Sequence, residues 1–313
     1  MDRDASTSVC GIRQRLGDSV RRSLGASGDE LDEYAVGAGD PGLFGPSSPV
    51  WAVHGDLPSM LIGGFAALMN QTLHPLAMAG VAAHSNYRDD PTGRLRRTAR
   101  FVAGTTFGST AFAHQLVGEV SAVHARVQGT APDGRRYSAS DPALLTFVHV
   151  TEVGSFLASY QRYAPRPLLR YEKDRYLSEV AVVAEMLGAT GVPRSVAELR
   201  SYRRAIAPEL IRGPQADDAL RFLARSSSSD PSDAVAHRLM IAAAIELLPD
   251  GVHAAVAGRR WSWPERAAVR AAGTAFSAGL RWAVGPSVVR SIALARIDAA
   301  EGAIQQSVQS SAN

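Results

Sequence analysis

"HPLAMAGVAAHSNYRDDPTGRLRRTARFVAG", residues 74–104, decides how this chain is read. It opens on a His-Pro pair, runs through an apolar helix, turns at Asp89-Asp90, and starts a second helix carrying Arg94, Arg97 and Thr98. Pro75 disfavours helical backbone at His74 before it, yet suits the first turn of the helix that follows. Asp90 can accept from the free N–H groups of the next helix, with Pro91 at its first position. Both segments carry a helical rather than a strand period.

The same period extends in both directions. It predicts helices over 11–25, 58–71, 75–84, 91–104, 109–127, 142–162, 171–188, 195–206, 214–225, 233–247, 263–282 and 287–304. Strand character is confined to 129–141, a hairpin about Asp133-Gly134. Residues 36–56 form a Gly/Pro-rich connection, 226–233 ("SSSSDPSD") a loop and cap, and 305–313 ("QQSVQSSAN") a disordered tail. No repeat recurs at a solenoid period. The expectation is an all-α chain with one small β-hairpin, a single domain over 1–313 with 1–35 as an N-terminal extension.

Composition narrows the function. Hydrophobic residues make up 46% of 313 and charged residues 20%, which is ample for a buried core. A net charge of +3 gives no electrostatic case for nucleic acid. Lys173 is the only lysine, and with abundant Ala, Gly and Val this points to a GC-rich, actinobacterial type of genome. The lone Cys10 excludes an intrachain disulfide and cysteine-ligated metal, and favours the cytoplasm. The opening residues lack the apolar core of a signal peptide. The apolar stretch Leu57–Met69 is interrupted by Asn70, Gln71 and His74, short of the roughly 20 residues a spanning helix needs. A buried helix fits it, and so does peripheral contact with a membrane.

Several catalytic patterns fail. "GAGDPG", 37–42, matches a dinucleotide fingerprint in letters, but no strand precedes it and Pro41 blocks the helix that should open inside it. There is no H-E-x-x-H, no G-x-S-x-G and no Walker loop, and no Glu-x-x-His pair of the kind that di-iron bundles use.

What remains is a set of polar residues on apolar helices. Phe112, Leu116, Val120, Val123 and Val127 recur at helical spacing, and His124 projects from that same face. A buried imidazole without a partner costs about 1–3 kcal/mol, so His124 needs a carbonyl, a polar side chain or a metal. Arg94, Arg97 and Thr98 share one face. That face is either a solvated basic surface or, because Phe101 and Val102 continue the neighbouring stripe, a border of the core that requires an anion. His74 stands at a helix boundary where its ring can enter an interhelical cavity, and His149 lies in the apolar "LLTFVHVTEVGS". His54, His84, His114, His237 and His253 read as surface or loop residues.

The order of these elements is recognisable. "WAVHGDLPSMLIGGFAALMNQTLHPLAMAGVAAHS", "DPTGRLRRTARFVAGTTFGS", "HARVQG" and "DGRRYSASDPALLTFVHVT" together resemble the MpaB/rubber-oxygenase (latex-clearing protein) family, well over 45–165 and loosely beyond. The resemblance implies an all-α fold with a globin-like core, a haem b iron between helices, molecular oxygen as co-substrate, and oxygenase chemistry on a small hydrophobic, often isoprenoid, substrate. It also implies a proximal histidine beyond an Arg-x-x-Lys-Thr element. Here that element is Arg94, Arg97 and Thr98, with His124 the nearest histidine and His149 the next. Arg97 and Thr98 would then donate hydrogen bonds to bound oxygen, and Arg94 would hold a propionate or orient Arg97. Leu61, Phe65, Leu68 and Met78 would line the substrate pocket. Two positions depart from the rubber-cleaving members: Arg97 replaces their lysine, and Leu76–Val81 is apolar where they carry a glutamate base. The rival expectations are a non-catalytic haem- or lipid-binding helical protein, and a non-haem iron held by His74, His124 and His149.

Overall fold

The computed structural model describes residues 28–225 and 230–311. The elements in chain order are α1 (Gly28–Asp32), α2 (Pro49–His54), α3 (Leu57–Gln71), α4 (Pro75–His84), α5 (Pro91–Phe107), α6 (Thr110–His124), β1 (Gln128–Thr130), β2 (Arg136–Ser138), α7 (Pro142–Tyr163), α8 (Arg170–Met186), α9 (Val196–Ile206), α10 (Pro214–Ala224), α11 (Pro231–Leu247), α12 (Asp250–Ala257), α13 (Trp263–Val284) and α14 (Val288–Ser311). The strands pair antiparallel, Gly129 opposite Tyr137, around a turn where Gly134 takes φ +86°. The fold is all-α with this one small hairpin.

Helix starts follow the chemistry of the free N–H groups. Ser48, Asp56, Asp90, Ser109, Asp141 and Asp230 each accept from backbone N–H groups at the head of a helix, and Pro occupies the first turn after all but Ser109. His74 does the same for α4, with extended backbone (φ −86°, ψ 114°) as Pro75 requires.

α7 is the central helix. By length and composition it could cross a membrane, but 72% of its apolar window is buried inside the protein. It crosses α3 where Gly63 has no side chain; a Cβ there would lie 3.0 Å from the Cα of Phe156. One core joins Val150, Val153 and Phe156 of α7 to Val50 and Val53 of α2 and Tyr176 and Val180 of α8. A second joins α3 to α11 through Ile62, Ala66, Met69, Ala243 and Ala244. A third sets Trp51 edge-to-face against Phe107, with ring centroids 5.0 Å apart, beside Phe112 and Ala293.

Between α11 and α13 the carboxylate of Glu246 is buried. Arg270 Nε lies 2.6 Å away, Arg266 Nε 3.6 Å and Arg162 Nε 3.8 Å. Arg281 closes the other end of α13 onto Asp56, 2.6 and 2.9 Å, so one carboxylate both caps α3 and ties down α13.

The "GAGDPG" loop proves to be a brace. Asp40 accepts from the backbone N–H and the hydroxyl of Thr110 (2.7 and 2.9 Å). Gly42, at φ +74°, passes so close to Gly108 that a Cβ would sit 2.3 Å from its carbonyl oxygen. Arg296 of α14 donates to the carbonyls of Tyr34 and Phe107 from the other side.

Three expectations need correction. The connection 36–56 contains a helix, α2, because Ser48-Pro49 supplies a cap and Val50, Trp51 and Val53 supply a buried face. Where a disordered tail is expected from 305, α14 is helical as far as Ser311, and 312 and 313 lie outside the described residues. α12, between Pro249 and Gly258, was not anticipated. The expected helix 11–25, Cys10 and most of the 1–35 extension lie outside the described residues.

Candidate functional site

The interior holds a polar cluster where α2, α5, α7 and α8 meet. Thr106 donates its hydroxyl hydrogen to the Val102 carbonyl at 2.7 Å, so its lone pair receives Nδ1–H of His54, also at 2.7 Å. That leaves Nε2 of His54 bare to accept from the Tyr176 hydroxyl at 3.1 Å. The bonding pattern therefore assigns a neutral ring with both nitrogens engaged. Burial, and then the nearby His149, push the His54 pKa down to about 3. A fully engaged imidazole of this kind has nothing left to offer a metal.

His149 is the opposite case. It is buried on α7, 9% exposed, and its Nε2 has no hydrogen-bond partner. Burial depresses its pKa to about 4, so the ring is neutral near pH 7. A polar nitrogen left unsatisfied in the core costs about 1–3 kcal/mol, which is the mark of a position kept for something else. His253 on α12 also has an unpartnered Nε2, but it lies against Trp261 beside the charged Arg266 and Asp250, away from this cluster.

Three residues on, Glu152 shares the His149 face of α7. It is only half-buried, yet burial raises its pKa to about 7. Near pH 7 it holds or releases a proton with equal ease, as a general acid or base should. On α3, Leu61, Gly64, Phe65 and Leu68 form one stripe, all half-buried, turned away from the Gly63 side that crosses α7. A Cβ on Gly64 would touch only the Phe156 ring, at 3.9 Å.

Glu152 gives a pH signature with a defined sign. Its folded pKa lies above the usual carboxylate value, so between about pH 4.5 and 7 the folded protein holds the extra proton. Stability therefore falls as pH rises through that window, by about 2–3 kcal/mol. Glu152→Gln should match the parent at pH 4.5 and exceed it at pH 8 in urea unfolding. Equal stability of the two proteins at pH 8 would contradict a desolvated Glu152.

The sequence-derived residues fall elsewhere in part. His124 continues the direction of Phe112, Leu116 and Val120, but the last turn of α6 leaves the core, so it is half-buried and its neighbour Val123 is 50% exposed. Burial lowers its pKa modestly. The Arg97–Thr98 face does not border the core. Arg97 has 64% of its side chain exposed and reaches only Asp90 and Asn86, each at 3.5 Å, while Thr98 is exposed and bonds back to the Arg94 carbonyl. The core-facing part of α5 is its far end, Gly104 to Phe107. Arg94 is half-buried over the Tyr87 ring, 5.8 Å from its centroid; burial lowers its pKa and no carboxylate among the described residues pairs with it. His74 is consumed as the cap of α4, its Nδ1 accepting from the Ala77 N–H and its ring 4.6 Å from that of Phe147. Of the four expected pocket residues, Met78 is buried core, Phe65 packs edge-on against His237, and Leu61 and Leu68 are half-buried on α3. Among the described residues no three His, Cys, Asp or Glu side chains converge on a metal-sized point, so the iron site of His74, His124 and His149 is not formed.

Sequence reasoning missed His54 and Glu152. The available signal was the spacing H-x-x-E in "FVHVTE", which puts an imidazole and a carboxylate on one face of an apolar helix.

No curated protein and no solved structure matches the chain. A family model does: that of the "ER-bound oxygenase mpaB/B'/Rubber oxygenase, catalytic domain" matches residues 51–282, from α2 to the end of α13, and so contains every residue of the polar cluster. The chain therefore belongs to the mpaB/rubber oxygenase family.

Proposed function

We propose that the protein is a haem b-dependent oxygenase of a small lipophilic substrate, with His149 rather than His124 as the residue that would hold the haem iron. The observation that carries this reading is the buried Nε2 of His149, neutral and without a partner in a family of oxygenases. A haem would satisfy that nitrogen by ligation, which neither His54 nor His74 can offer. Arg94, a desolvated cation without a carboxylate, would hold a propionate. Haem supplies the electron chemistry that activates oxygen.

The side chains around it have separate tasks. Glu152 holds or delivers a proton at its carboxyl in the neutral range. Tyr176 and Thr106 keep His54 neutral and fix its ring, so no cation stands beside His149. Leu61 and Leu68 exclude water and give an apolar substrate a surface to bury. The exposed Arg97 is left out of this assignment.

Protein produced with added haem should show a Soret band and consume oxygen when offered lipophilic alkenes. A band without oxygen uptake would favour the non-catalytic haem-binding reading. Purified protein that takes up no haem would overturn the proposal.

A further inference from the structure

On the face of α7 opposite His149 lies a cavity of about 240 Å3, bounded by the ends of α3 and α9 and by α12. Phe147, Val150, Leu210 and Val252 make most of its wall apolar. Two polar groups in that wall lack partners. Asn70 is 4% exposed and its Oδ1 meets no donor. Arg203 is half-buried, its Nε meets no acceptor, and no carboxylate among the described residues pairs with it. Burial lowers the Arg203 pKa, and no nearby acid among the described residues raises it back.

The helix beneath has made room for that charge. At Gly154 a Cβ would lie 2.3 Å from Nη2 of Arg203 and 3.2 Å from its Cζ, so the guanidinium rests directly on the α7 backbone. An unpaired buried guanidinium is costly to the empty protein and demands an anion. A planar fork of N–H donors suits a carboxylate. At about 30 Å3 per water, the cavity holds on the order of eight water-sized units, enough for a short apolar body behind one acid group.

We infer that the cavity between α3, α7, α9 and α12 is a binding site for a small carboxylate with an apolar body, its acid group on Arg203 and a hydrogen-bond donor facing Asn70 Oδ1. The site is separate from His149 and does not depend on the haem reading. Inorganic phosphate shares the charge but not the apolar body, and octanol shares the body but not the charge.

The test is thermal melting and titration calorimetry on the full purified chain with octanoate, octanol and inorganic phosphate. Octanoate should bind one site and raise the melting temperature, and the other two should not. Arg203→Met should melt no lower than the parent without ligand, because it removes an unpaired charge, yet bind octanoate at least tenfold more weakly. Gly154→Ala, which gains helix propensity, should stay folded and also lose affinity by displacing the guanidinium. Equal octanoate affinity in parent and Arg203→Met would overturn the inference. So would octanol binding as tightly as octanoate, phosphate binding alone, or no binding of octanoate at millimolar concentration.

Discussion

His149→Ala is expected to leave a folded protein that no longer takes up haem, with affinity lowered by more than about 100-fold, beyond the usual loss when a mere supporting partner of a metal ligand is removed. The fold should survive because alanine favours the helix and the substitution removes an unsatisfied polar nitrogen from α7. His124→Ala should keep its haem, because that ring sits half-buried at the end of α6 rather than within the core. The measurement is the Soret absorbance per protein after gel filtration, beside a helical circular dichroism spectrum. Loss of haem in His124→Ala with retention in His149→Ala would reverse the ligand assignment.

The second large effect concerns stability. Glu246→Ala removes the one carboxylate that Arg270, Arg266 and Arg162 share in the interior between α11 and α13. Breaking a buried ion pair from one side strands the other partners, at about 3–5 kcal/mol. Because each of these arginines keeps partial exposure, the lower end of that range is expected. The midpoint of urea unfolding should fall with an unchanged slope. A loss below about 0.5 kcal/mol would mean that the cluster is as weak as a surface pair.

Much of the helical framework was legible because its signals are local. Asp90-Pro91, Asp141-Pro142 and His74-Pro75 set helix starts by backbone chemistry alone, and each helix begins where they say. The site was less legible because burial is decided by packing. Arg94, Arg97 and Thr98 do share a face, as their spacing requires, but spacing cannot say that α5 turns Arg97 to solvent and buries Gly104 to Phe107 instead. His124 lies in line with a buried stripe, yet the last buried residue of α6, Val117, is about two turns before it. His54 was passed over because its Gly- and Pro-rich setting hid α2. Its partners Thr106 and Tyr176 stand 52 and 122 residues away. Glu152 looks like an ordinary helical charge until tertiary packing desolvates it and raises its pKa.

The account turns on one atom, Nε2 of His149, and a cavity variant tests it directly. His149→Gly removes the ring and leaves a space for free imidazole. Haem titrated into this variant should give a weak spectrum alone and recover the parental Soret band as imidazole is added, with a saturating dependence on imidazole. A parental spectrum in His149→Gly without imidazole, or no response to imidazole while His124→Gly responds, would contradict the claim that His149 holds the haem.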